Sequence, residues 1–291
     1  MKFKIAVAQT DAAVGHFDRN LEKHLEIIKR AKHEGAHVVV FPELSLTGYT
    51  LRDLAWEVSL DPFTDRRLAP LRDASKSITI VVGLVESAEN HGVYNSAVAF
   101  EDGAIKHIHR KIYPPTYGMF EEGRYFSKGN EAAAFDSKHG RFGLLICEDL
   151  WHMSIPYLLA LDGAEVIISL TASPSRIAPG SAEMDAVRVN QEHHRAYARL
   201  LSSYIVFSNR VGVEDGVNFW GGSAVVNPGG TVISAAKLFE EDLILTEINS
   251  LEVQRARRFS RHFLDEDPDL VQKSLDRIRS SKRLRASDKP S

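Results

Sequence analysis

The sequence predicts an α/β fold in which two β-sheets face each other and helices cover the outside. Apolar segments of strand length recur along the chain, while helical stretches are few. Hydrophobic residues make up 44% of the 291 residues, enough for a sizeable core. No Pro/Gly/Ser-rich linker divides the chain, so residues 1–250 read as one domain, followed by a charged extension at 251–291.

The first strand is read at residues 4–10 and the first helix at 19–34, with Leu21, Leu25, Ile28 and Ala31 on one face. Residues 37–41 include Val38-Val39-Val40-Phe41, a buried strand by composition. Pro42 cannot donate to a sheet ladder, so that strand ends there. Glu43 then stands at the carboxyl end of a buried strand, where open α/β sheets place their sites. A carboxylate in that place suits a general base; the other reading is a loop glutamate in solvent.

A helix at 64–77 leads to strands at 78–85, 93–100 and 104–111. Glu101-Asp102-Gly103-Ala104 reads as the hairpin turn between the last two. Lys111 ends the third strand, just before Pro114-Pro115 and a loop dense in aromatics, from Tyr117 through Phe120-Glu121-Glu122-Gly123-Arg124-Tyr125-Phe126. The double proline stiffens the chain where a loop must keep one shape. Taken alone, Lys111 also reads as an ordinary surface cation.

The strand at 141–147 ends at Cys147, the only cysteine. An apolar run stops at a thiol, and Glu148-Asp149-Leu150-Trp151 follows as a helix start. A lone thiol has no internal disulfide to form, so it is a small buried hydrophobe, a metal ligand or a nucleophile. Neither a second cysteine nor a spaced His pair accompanies it, which counts against a metal. His152 lies close enough in sequence to be a rival base. His107 and His109 share a strand face, but nothing else there completes a metal site, and His193-His194 point about 100° apart on a helix, so they cannot form an i, i+4 ligand pair. No metal and no cofactor is expected.

A helix at 153–162, a strand at 166–171 and a helix at 182–203 come next. Strands at 204–211, 223–227, 231–234 and 243–248 complete the domain, with Asn227-Pro228-Gly229-Gly230 as a hairpin turn. Beyond residue 250, Arg255, Arg257, Arg258 and Arg261 cluster, and the last dozen residues hold too few apolar side chains to pack, so a solvated helix with a mobile end is expected. Net charge is −3, so nothing draws the protein to nucleic acid or a membrane. The N-terminal apolar stretch is too short for a signal peptide, and no run approaches the ~18 apolar residues of a membrane span. A reactive lone thiol fits a reducing cytoplasm.

The Phe41-Pro42-Glu43, Lys111-to-Pro115 and Cys147-Glu148 segments, in this order, resemble the carbon–nitrogen hydrolase (nitrilase) superfamily. Ala8-Gln9, Ser208-Asn209-Arg210-Val211-Gly212 and Gly221-Gly222-Ser223 extend the likeness over about residues 3–250. The resemblance implies an αββα sandwich and a catalytic triad of Glu43, Lys111 and Cys147, with Glu122 bracing the lysine. It implies hydrolysis of a small carboxamide through a cysteine thioester, with an N-carbamoyl compound or a nitrile as other substrates. It also implies a homodimer or higher homo-oligomer. Within the superfamily, residues 43–49, 117–126 and 147–151 with Ala172-Ser173-Pro174 look most like the glutaminase domain of glutamine-dependent NAD synthetases. That likeness implies Tyr49, Tyr117, Glu148 and Ser173 as substrate-binding residues and, as the alternative to a free-standing amidase, a glutaminase-like subunit that feeds ammonia to a separate synthetase. The Ser-Gly-Gly-x-Asp-Ser loop of a synthetase domain is not found in these residues, so the likeness carries amide chemistry and not ligation.

Overall fold

The computed structural model describes residues 1–175 and 182–287. Strand β1 (Lys2–Gln9) leads through α1 (Phe17–His33) to β2 (Val38–Val40). The short helices α2 (Leu54–Glu57) and α3 (Ala69–Ala74) precede β3 (Thr79–Ser87), β4 (Val93–Glu101) and β5 (Ala104–Arg110). Next come β6 (Ala134–Ser137), β7 (Gly140–Ile146), α4 (Ser154–Leu161), β8 (Val166–Thr171) and β9 (Pro174–Ser175). Helix α5 (Ala182–Leu200) is followed by β10 (Tyr204–Asn209), β11 (Val211–Glu214), β12 (Val217–Trp220), β13 (Ala224–Val226), β14 (Val232–Ala235) and β15 (Asp242–Asn249). Helices α6 (Ser250–Phe259) and α7 (Pro268–Ser287) end the described chain.

Two six-stranded sheets form, ordered β15-β1-β2-β3-β4-β5 and β14-β13-β10-β8-β7-β6. Strands β1, β2 and β3 run parallel, as do β7, β8 and β10, and antiparallel strands flank each set. The alternation of side chains along a strand builds the layers. Ile5 and Val7 face the second sheet, packing in one cluster with Leu144, Ile146, Ile168 and Val206. Ala6 and Ala8 point the other way, toward Leu21, Ile28 and Ala31 of α1. On the far side, Leu145, Ile167 and Ile205 meet Leu159 of α4 and Ala198 of α5. The result is the four-layer αββα sandwich expected from the sequence. Both hairpin turns form where they were read, with Asp102 and Gly103 at positive φ in the first.

Departures have local causes. The helix expected at 64–77 is a 3-10 turn, Arg66–Leu68, followed by the shorter α3, because Pro70 fits only a helix's first turn. The strand expected at 204–211 stops at Asn209, and β11 turns away into a small sheet with β12 and β9. At that break the buried Arg210 guanidinium pairs with Glu214 and with Asp11. Strand β6 is missed because it is short and holds two apolar residues. In the charged extension, Val253 of α6 is buried against the inter-sheet core, and Arg257 reaches the Ala164 carbonyl at 3.2 Å. Helix α7 continues to Ser287, into the segment read as a mobile end; residues 288–291 of that segment lie outside the described residues. Among the described residues, no helix is long and apolar enough to cross a membrane.

Candidate active site

The site lies at the carboxyl ends of strands from both sheets. Glu43 follows β2, Lys111 follows β5, Cys147 follows β7, and Ala172-Ser173 follows β8. Strand β5 is antiparallel to β4, which is antiparallel to β3, so its exit points the same way as that of β2. Two turns here hold non-glycine residues at positive φ: Leu44 at 47° and Cys147 at 46°. Each such residue costs roughly 1–2 kcal/mol, a strain typical of functional turns.

Lys111 is fully buried, and its Nζ donates to Glu43 Oε1 and Glu122 Oε1, each at 2.7 Å. Asn95 Nδ2 donates to Glu43 Oε1 at 2.7 Å, and the Ala172 N–H donates to Glu43 Oε2 at 2.8 Å. Tyr49 OH donates to Glu122 Oε1 at 2.5 Å. The Tyr49 segment is held in turn by Glu214, which accepts from the backbone N–H groups of Tyr49 and Thr50. Thus Glu43, Lys111 and Glu122, far apart in sequence, share one hydrogen-bonded cluster.

Electrostatics follows from packing these charges away from water. Burial pushes the Cys147 thiol well above its usual pKa; Glu43 adds to this and Lys111 pulls it down. Cys147 keeps partial exposure toward a cavity, although protein surrounds the sulfur closely enough for burial to dominate its titration. Burial opposes the charge on Lys111, but Glu122, Glu43 and Cys147 outweigh it and hold the ammonium well above its usual pKa. Burial raises the Glu122 carboxyl to about 7; Lys111 lowers it and Glu43 raises it. Cys147 therefore rests as a neutral thiol beside a permanent cation. Any reaction through this sulfur would need a base to remove its proton.

The cavity above Cys147 measures about 350 Å3 and is lined by Tyr117, Phe120, Glu148, Trp151, Ser173 and Asn190, among others. Of the expected substrate-binding residues, Tyr117, Glu148 and Ser173 are therefore here. Tyr49 instead lines an adjoining cavity with Glu122, Met119 and Tyr125, and its ring meets Phe219 edge-on. The aromatic side chains beside Cys147 are Tyr117 and Phe120, whose rings meet edge to face at 5.7 Å, and Trp151. Tyr117 OH donates to Glu148 at 2.9–3.0 Å. Burial and this bond raise the phenol to about 12. Ser173 Oγ accepts from Trp220 Nε1 at 3.0 Å. His152, the rival base, stacks on Tyr113 at 3.5 Å, with its Nε2 3.8 Å from Glu148.

Sequence reasoning missed several participants. Asn95 was a lone amide inside an apolar strand, a legible signal passed over. Asp149 was read only as a helix-start residue, yet it is fully buried and hydrogen-bonded to His109. The Ala172 N–H carries no side-chain signal at all.

Comparison with known proteins agrees with this fold. A family model described as carbon-nitrogen hydrolase matches residues 4–258. The glutamine-dependent NAD(+) synthetase of Acinetobacter baylyi is 32% identical over 261 residues, covering 88% of this chain and 46% of that protein. The chain thus spans less than half the length of such relatives. The structure of a glutamine-dependent NAD+ synthetase from Acinetobacter baumannii superposes with a TM-score of 0.76 at 31% identity, over 86% of this chain and 46% of that one. A carbon-nitrogen hydrolase from Helicobacter pylori G27 shares the fold along nearly its whole length, with a TM-score of 0.85 at 24% identity, over 94% of this chain and 99% of that one. With the sandwich in place and the family model matching residues 4–258, the chain belongs to the carbon-nitrogen hydrolase family.

Proposed function

We propose that this protein is an amidase with a Glu43–Lys111–Cys147 triad, hydrolysing a small primary carboxamide to ammonia and a carboxylic acid. One observation carries the reading: a buried Lys111 ammonium sits 2.7 Å from both Glu43 and Glu122, close enough to Cys147 to pull its thiol pKa down. In this reading Glu43 accepts the thiol proton while sulfur bonds to the carbonyl carbon. Oxygen takes the π electrons, and Lys111 Nζ and the Glu148 backbone N–H stabilise that oxyanion. The C–N bond breaks on collapse, and the nitrogen leaves as ammonia with the proton from Glu43. A thioester on Cys147 remains. Glu43 then takes a proton from water, hydroxide adds to the thioester, and collapse releases the acid and restores the thiol. Glu122 holds the far side of Lys111 and fixes its direction.

The cavity supports a short acyl chain. Glu148 places a carboxylate where an α-amino group could bind by a charge-assisted hydrogen bond, and Tyr117 and Phe120 offer aromatic faces beside it. Glutamine or a close analogue is therefore the first candidate, supported by likeness to glutamine-dependent synthetases at 31–32% identity. On that reading the protein either works alone or passes ammonia to a separate synthetase. Assembly as a homodimer in the cytoplasm belongs to the same proposal; exposed Phe259, Leu264, Leu270 and Leu275 on and between α6 and α7 offer apolar surface for a second copy. An ammonia-release screen over carboxamides, N-carbamoyl compounds and nitriles tests the substrate class. Nitriles turned over far faster than any amide or carbamoyl compound would overturn the amidase assignment and leave the triad standing.

A further inference from the structure

A buried carboxylate beside the nucleophile is left unused by the proposed chemistry. Asp149, two residues past Cys147, is fully buried. Its Oδ2 accepts from His109 Nε2 at 2.8 Å and from the Ile146 N–H at 3.1 Å. Its Oδ1 accepts from the N–H groups of Ile112 and Tyr113, each at 3.0 Å. An ionised carboxylate offers about four acceptor sites, and four donors meet this one.

Those donors form a pattern. His109, Ile112 and Tyr113 bracket Lys111 along the chain, and Ile146 immediately precedes Cys147. Strand β5, which delivers Lys111, belongs to one six-stranded sheet, and β7, which delivers Cys147, belongs to the other. Between the sheets the contacts are apolar, and apolar contact has no direction. Asp149 supplies direction: it ties the two strand ends together beside the reacting atoms.

We propose that Asp149, oriented by His109, is a positioning residue for the amide chemistry, setting the Lys111 ammonium at its working distance from the Cys147 sulfur across the two sheets. This rests on the triad reading above, so its test uses a probe that needs no substrate. Cys147 is the only cysteine, and iodoacetamide alkylation therefore reports on it alone. Lys111 pulls the thiol pKa down, against Glu43 and Glu122; Tyr49 and Tyr117 also feel the thiolate charge, and the Glu148 carboxylate faces the same cavity. Withdrawing Lys111 moves the alkylation profile to higher pH.

Asp149→Asn keeps the size, but its one oxygen serves two donors and its NH2 faces the others. The folded variant, checked by its melting curve, is expected to alkylate about threefold slower at a fixed pH near 8, because a one-unit rise in thiol pKa cuts the thiolate about tenfold and makes what remains about threefold more nucleophilic. A side chain that only stabilised the fold would lower the melting temperature and leave the alkylation profile of folded protein unchanged; that result overturns the proposal. If Asp149→Asn does not fold, the His109 pair decides. His109→Phe removes the donor and is expected to slow alkylation, and His109→Gln, whose amide can donate to Oδ2, is expected to recover much of the rate. A wild-type profile in His109→Phe overturns the proposal. Lys111→Gln separates the two levels. An unshifted Lys111→Gln profile sinks the triad reading itself, whereas a shifted one beside an unshifted Asp149→Asn profile sinks only this inference.

Discussion

Gly83 lies in β3 directly beneath the turn that carries Glu43. A Cβ added there would stand 2.3 Å from Leu44 N, 2.6 Å from the Pro42 carbonyl oxygen and 2.9 Å from Glu43 C. Carbon contacts are comfortable near ~3.5 Å, so in Gly83→Ala the turn must retreat by roughly 1 Å. All three obstructing atoms are backbone, and no rotamer change relieves the clash. The turn is also tied to β3, through Leu46 N–H to the Gly83 carbonyl at 3.1 Å and Phe41 N–H to the Val81 carbonyl at 2.9 Å. Retreat therefore shifts Glu43 relative to Lys111 and Ala172. Overpacking of this kind costs ~1–3 kcal/mol, which a domain stable by ~5–15 kcal/mol survives. Misplacing a reacting group by about 1 Å costs ~10²-fold in rate. Gly83→Ala should thus stay folded and lose about 10²-fold in kcat, measured as ammonia release from the best carboxamide alongside a thermal melt. A folded variant within a few-fold of wild-type kcat would refute the argument that the Glu43 turn must sit against β3.

Other outcomes follow from the same geometry. Lys111→Arg should lose at least ~10²-fold in kcat, because a planar guanidinium cannot occupy the closed space between Glu43 and Glu122; an arginine enzyme within a few-fold of wild type would make Lys111 peripheral. Glu122 has a carboxyl raised from 4.5 to about 7 by burial. The folded state therefore binds this proton more tightly than the unfolded state. Its stabilising effect is complete below about 4.5 and is lost as pH rises through about 7. Glu122→Gln has no such titration, so melting temperatures taken from pH ~5 to ~8 should shift in the variant's favour as pH rises. A constant gap would show that Glu122 does not titrate as its surroundings require.

Much of this was legible because a few residue types leave little choice. Pro42 ends a valine-rich strand, which puts Glu43 at a strand exit, and the two hairpin turns announce themselves by Asp-Gly and Pro-Gly-Gly. The lone cysteine at the end of an apolar run marked the turn at Cys147, which sits at positive φ. What stayed hidden depends on tertiary pairing. Nothing in a chain of letters shows that Asp149 meets His109 40 residues away. Nor does it show that the Tyr49 hydroxyl turns inward to Glu122, leaving the wall of the Cys147 cavity to Phe120. Strand β10 was overrun by two residues because the break at Arg210 depends on its buried pairing with Glu214 and its packing on Phe219, which form only in the folded state. Charged residues that pair only in the folded state are where pattern reading fails, and here they surround the site.

The central claim is that Cys147 carries the acyl group. Acid-quenched turnover followed by mass analysis tests it most directly, with wild type and Cys147→Ala compared on the same carboxamide. The account predicts a mass gain equal to the acyl group on the wild-type peptide containing Cys147, and neither adduct nor ammonia from Cys147→Ala. Ammonia release by Cys147→Ala at a rate near wild type would contradict it.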